Sequence, residues 1–202
     1  ATTSTITNFS VPAKVFGDAS FALVPPTSNS TGGFTYTSSN TAVATVVGST
    51  ITIVGAGTST ITAIQASSAS YISGSITATF QVGKGTPTLL FSVPTKTILD
   101  AAFTIDPPIS NSIGTFTYTS SDPLVATIVN GLVTMVGLGT TTITAVQATS
   151  TNYIAATITA TFQVIKATPT LTNFSMPDKT LGSSSFLITP PTSSSDGLFT
   201  YT

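Results

Sequence analysis

The chain has 202 residues, only 5% of them charged, and its basic residues, all lysine, and its acidic ones, all aspartate, leave a formal net charge of -1. That balance offers no electrostatic footprint for nucleic acid or an anionic membrane. His, Cys, Glu and Arg are absent, which removes the usual general bases, thiolate nucleophiles and guanidinium groups and rules out disulfides.

Mean hydropathy is +0.45, yet Thr, Ser, Gly or Pro interrupts the apolar residues every second or third position. No run approaches the ~18 apolar residues of a spanning helix. Nothing at Ala1 to Phe9 has the charged and apolar regions of a signal peptide, so the chain reads as a mature or excised segment. Ser and Thr make up about a third of the residues, and Thr alongside Val and Ile favours strands.

In chain order, Phe21 and Leu23 alternate on an inward face before Pro25-Pro26 ends that strand, because proline cannot continue a central ladder. The segment Phe34 to Ile64 then opens with Phe-Thr-Tyr-Thr, turns at a Ser-Ser-Asn corner, forms a hairpin and turns again at Gly55-Ala56-Gly57. The last strand alternates Ile76, Ala78, Phe80 and Val82 against Thr77, Thr79 and Gln81. After Gly83-Lys84-Gly85-Thr86-Pro87 the pattern recurs. Phe103 and Ile105 precede Pro107-Pro108, and Phe116 to Val146 repeats the central segment. Asn130-Gly131 marks a type I′ hairpin, Gly137-Leu138-Gly139 the second turn, and Ile158, Ala160, Phe162 and Val164 the inward face of the last strand. A third copy begins after Thr168-Pro169, with Phe174, Phe186, Ile188, Pro190-Pro191, Phe199 and Tyr201.

Repeats at a fixed period, each with seven or so short strands and no helical period, predict an all-β chain of tandem Greek-key β-sandwiches arranged end to end. The expected units are residues 1–86, 87–168 and 169–202, the last holding first strands only. Between the second and third copies the spacing grows by one residue, and that residue is expected in the junction, where a linker tolerates length change. Short linkers containing proline predict stiff joints. Phe174, Phe186, Ile188, Phe199 and Tyr201 are expected to face water if the third segment stands alone. Two readings follow: a fragment of a longer array, or a sandwich completed by a neighbouring molecule.

The run Ser-Ser-Asn/Asp, Val-Ala-Thr-Val/Ile, Gly-x-Gly-Thr and Thr-Ile-Thr-Ala resembles the group 2 bacterial immunoglobulin-like domain (Big2), a module also found in invasin- and intimin-type surface proteins. Both full copies carry it, at Val43 to Val46 with Gly57 and Ile61, and at Val125 to Ile128 with Gly139 and Ile143. Tyr36 and Tyr118 stand where the family often has tryptophan. The resemblance implies an immunoglobulin-like sandwich displayed on an extracellular, cell or virion surface and no particular chemistry.

Candidate sites are few. No lysine sits in a Ser-x-x-Lys spacing, so no catalytic residue is assigned, and no cofactor either. The two Gly-x-Gly turns lack a following helix and read as turns, not phosphate loops. Asp18 and Asp100 are equivalent, but Ser183 replaces them in the third copy, and one carboxylate per repeat is too few for a calcium cage; no metal site is assigned. Asn8, Asn29 and Asn173 lie in sequons that permit N-glycosylation, against the simpler reading that they serve turns. Lys84 and Lys166 read as solvated linker lysines.

The expected function is a non-enzymatic stalk or fibre segment of a long adhesin-like surface protein. The first alternative is a subunit of a self-assembling filament or surface layer joined by strand or lateral contacts. The second is a glycan- or receptor-binding module using loops such as Asn29 to Gly33 and Asn111 to Gly114. Expected partners are neighbouring repeats or copies of itself, with any surface glycan or receptor met through other domains, no nucleic acid and no membrane insertion.

Overall fold

A computed structural model describes residues 2–202; Ala1, where the first unit is expected to begin, lies outside them. Among the described residues every regular element is a strand. The first sandwich is built from β1 (Lys14–Val15), β2 (Phe21–Ala22), β3 (Phe34–Ser38), β4 (Ala44–Val47), β5 (Thr50–Ile53), β6 (Gly57–Gln65) and β7 (Gly74–Gly83). One sheet has the order β1-β7-β6-β3 and the other β2-β5-β4. Strand β1 runs parallel to β7; the remaining pairs are antiparallel. The chain crosses from sheet to sheet between β3 and β4 and returns between β5 and β6, the Greek-key path.

The second sandwich repeats this with β8 (Lys96–Thr97), β9 (Phe103–Thr104), β10 (Phe116–Ser120), β11 (Ala126–Val129), β12 (Leu132–Met135), β13 (Gly139–Gln147) and β14 (Ala156–Ile165), ordered β8-β14-β13-β10 and β9-β12-β11. The two immunoglobulin-like sandwiches follow one another in tandem.

Strand alternation determines what is buried. Ile61, Phe80 and Val82 meet Leu23, Val43, Ala44 and Ile51 across the first core, and Ile143, Phe162 and Val164 meet Ile105, Val125, Ala126 and Val133 across the second. Phe80 and Phe162 are wholly buried, each with a second ring 5.7 Å away, that of Phe21 or Phe103. Ile76, Ala78, Ile158 and Ala160 share the inward face but are only half-buried. The long strands β7 and β14 outrun the shorter sheet opposite them, so their first halves have less to pack against. Tyr36 and Tyr118 pack against the rims of these cores.

The polar corner has a physical purpose. Ser59 is buried, and its hydroxyl bonds that of Ser38 at 2.8 Å and accepts the Asn40 amide at 3.1 Å. Thr141 does the same for Ser120 and Asp122. Asn130 and Gly131 have φ of 50° and 80°, the positive pair that a type I′ hairpin needs.

The one-residue length change is not in the linker. Ile6–Thr7 pairs with Thr27–Ser28, Leu89–Leu90 with Ile109–Ser110 and Leu171–Thr172 with Thr192–Ser193. These ladders align Thr7 with Leu90 and with Thr172. Asn8 and Asn173 then follow, both at φ 58°, whereas the second repeat passes directly from Leu90 to Phe91. The extra residue is a left-handed kink after the first strand, a conformation that asparagine tolerates, and the second repeat lacks it.

In the third segment, Phe174 stacks on Tyr201 with ring centroids 6.2 Å apart, where Phe9 and Tyr36, and Phe91 and Tyr118, meet at similar distance but tilted. Lys179 lies over Phe186 as Lys14 and Lys96 lie over Phe21 and Phe103. Phe174, Phe186 and Tyr201 are exposed as expected, whereas Ile188 and Phe199 are half-covered by this local packing.

Candidate functional site

The residues nominated from sequence as binding loops are tied down from within. Gln65 is 1% exposed, and it accepts from the Ser28 hydroxyl at 2.6 Å and donates to the Ser30 and Gly32 carbonyls at 3.0 and 2.9 Å. Gln147 makes the same three bonds to Ser110, Ser112 and Gly114. The Ser30 hydroxyl is bonded to that of Ser68, and Ser112 to Ser150, each at 3.0 Å. A Cβ on Gly32 would overlap the Ala66 carbonyl, and one on Gly114 the Ala148 carbonyl. Loops 29–33 and 111–114 are therefore rigid. Sequence reading missed both glutamines, because nothing in a Thr-Ile-Thr-Ala-Ile-Gln strand announces that its last residue faces inward into carbonyls.

The most elaborate set of contacts joins the repeats. Loop 149–154 of the second sandwich receives the end of the first. The Gly85 amide donates to the Asn152 carbonyl, and the Ile154 amide donates to the Gly85 carbonyl, both at 2.9 Å. This makes a parallel bridge between Gly85 and Tyr153. The Asn152 side-chain oxygen accepts the Ala56 amide at 2.9 Å, and Tyr153 meets Phe16 edge to face at 5.2 Å. Lys84 donates to the Thr149 hydroxyl at 3.0 Å and to the Ser150 carbonyl at 2.6 Å. Lys84 is exposed, as expected of a solvated linker lysine, and it also clamps the joint; its target is a carbonyl more than sixty residues ahead, which local pattern does not reveal. A cleft of about 230 Å³ remains beside this joint, walled by Phe16, Asn111, Ile113 and Tyr153.

The other nominated residues have structural occupations. Asp18 accepts the Val15 amide at 3.0 Å and Asp100 the Thr97 amide at 2.8 Å, each closing its own turn. The backbone and side-chain bonds from Thr97, with a smaller contribution from Lys96, hold the Asp100 carboxyl below its ordinary range. In the third segment Ser183 bonds the Thr180 hydroxyl at 3.2 Å. Among the described residues no three acids gather where they could hold a metal ion. The Asn29 side-chain oxygen accepts the Thr5 amide at 2.9 Å, and Asn111 serves Thr88 likewise. Asn8 and Asn173 occupy the kinks described above and are exposed. Gly57 and Gly139 have φ of 145° and 141° at the entry to β6 and β13, each beside a buried valine, as turns require. Among the described residues no helix is long and apolar enough to cross a membrane.

A family model for the immunoglobulin-like domain of intimin matches residues 111–149, the span from the second rigid loop to the lysine's partner Thr149. Among solved structures, human protocadherin-24 EC1-2 aligns at 14% identity over 81% of this chain and 100% of that one, with a TM-score of 0.33. Drosophila N-cadherin EC1-4 aligns at 11% identity over 87% and 54%, TM-score 0.30, and domains 4 and 5 of the S-layer protein SbsC at 20% identity over 65% and 76%, TM-score 0.30. No curated protein matches the chain.

Proposed function

We propose that this chain, a run of bacterial immunoglobulin-like domains, is a non-enzymatic spacer in an extracellular surface protein, holding another part of that protein away from the cell or virion. Its units are residues 1–86, 87–168 and 169–202. The observation that carries this reading is the joint. Two closely similar sandwiches meet through a backbone bridge, a capping asparagine, a lysine clamp and an aromatic pair, and such contacts convert a chain of domains into a stiff arm. The resemblance to intimin-type domains supports placement at a surface. Small-angle scattering on residues 1–168, the two full sandwiches with their joint, tests it against residues 87–168 alone. A maximum dimension well beyond that of the single sandwich is the expected result; a compact particle would sink the reading.

One observation favours lateral self-association as a second reading. Leu90 and Ile109 pair across their ladder, and both are largely exposed, at 67% and 72%. Thr7 and Thr27 hold those places in the first repeat, and Thr172 and Thr192 in the third. Analytical ultracentrifugation of Leu90→Thr/Ile109→Thr against the parent distinguishes the two: concentration-dependent association in the parent, lost in the variant, would favour a filament or layer.

A further inference from the structure

The structure shows how the first joint closes, and the closure turns on the space at one residue. Gly85 is buried, with a φ outside the left-handed region, so its need for glycine is not conformational. The need is for space: a Cβ there would overlap the carbonyl oxygen of Phe16. That carbonyl belongs to the end of the first sandwich, while the bridge to Asn152 and Ile154 belongs to the second. Glycine alone lets the backbone touch both at once. Thr2 occupies the same place ahead of the first repeat and pairs with Tyr71. A side chain is therefore compatible with the bridge to the following loop, and the clash is specifically with the preceding sandwich.

At the next joint the matching residue is Ala167. The end of the second sandwich is built like that of the first: the Phe16 amide donates to the Gly83 carbonyl at 2.8 Å, and the Ile98 amide to the Ile165 carbonyl at 2.9 Å. The carbonyl of Ile98 thus stands where that of Phe16 does, in the way of a methyl group on residue 167. Around it, Leu99, Leu124 and Leu138 replace Gly17, Ala42 and Ala56, and all three leucines are exposed, the first two at 77% and 79%. Ala56 is the residue whose amide the asparagine caps in the first joint.

We propose that Gly85 locks the first joint, because glycine alone fits between the Phe16 carbonyl and loop 149–154, and that a methyl group at this position, such as Ala167 carries in the next linker, prevents locking in that geometry. This deepens the spacer reading, on which it rests, by naming the residue that closes the joint; an elongated particle with a broad distance distribution in the parent would sink the proposal and leave the spacer reading standing.

The parent chain has no cysteine, so spin labels can be placed at Thr77→Cys and Thr159→Cys, exposed equivalents on β7 and β14. The full chain is expected to give one narrow distance distribution, with the Gly85 and Ile154 amides slow to exchange. Gly85→Ala copies the second joint into the first. It is expected to broaden the distribution and speed exchange at Ile154 by about tenfold or more, while the Ile61 and Ile143 amides stay as protected as before. A narrow distribution in the variant would overturn the proposal, as would fast exchange of Ile154 in the parent. Unfolding of either sandwich in the variant would also overturn it, because the proposal holds that the joint gives way and the sandwich does not.

Discussion

At the residue scale, the buried polar groups carry the sharpest consequences. Gln65, itself buried, satisfies two carbonyls and a hydroxyl of half-buried residues. Gln65→Leu leaves them unpaired, at about 1–3 kcal/mol for each buried group left without a partner. We expect chemical denaturation to show the first repeat losing about 2–4 kcal/mol on that basis, with the second repeat unchanged. Tyr36 presents the opposite case, since its hydroxyl is buried without a partner. Tyr36→Phe removes a desolvated group that forms no bond, so the melting temperature should hold or rise. Burial also pushes the Tyr36 and Tyr118 phenols above their ordinary value of 10.0. Their folded pKa is the higher one, so the unfolded chain ionises first as pH climbs. Their contribution is intact below pH 10.0 and is lost as pH rises through the raised values. The double variant Tyr36→Phe/Tyr118→Phe should flatten the fall in stability seen in alkaline titration monitored by circular dichroism.

At the scale of the element, each long strand has one face in the core and one in water, and the two should respond differently. Phe162 on β14 is wholly buried and Thr161 exposed. Phe162→Ala should cost about 3–5 kcal/mol, a large part of a small domain's stability, and Thr161→Ala about 0.5 kcal/mol or less. Equal losses in thermal unfolding would mean that the faces are reversed. The hairpin between β11 and β12 is held by positive φ at Asn130 and Gly131. A β-branched residue cannot adopt that conformation without strain, so Asn130→Val should destabilise the second repeat by about 1–3 kcal/mol, read as an earlier denaturant midpoint for that repeat alone.

At the scale of the whole molecule, the repeat, the strand faces and the sandwich class follow from the order of residues alone. Those rest on local rules: two-residue periodicity, proline as a strand stop, and asparagine-glycine as a turn. Phe80 and Phe162 were legible as core because alternation fixes a side chain's face wherever the strand lies. The clamp of Lys84, the locking role of Gly85 and the rigid loops under Gln65 and Gln147 were decided only by tertiary structure. Each depends on a carbonyl that folding brings from more than thirty residues away, and no spacing along the chain encodes that approach. The same holds for the extra residue of the third repeat. Length alone placed it in the linker, and only the pairing of Leu171–Thr172 with Thr192–Ser193 showed that Asn173 is a kink. Hydrogen bonds between strands define register, and register is a property of two segments at once.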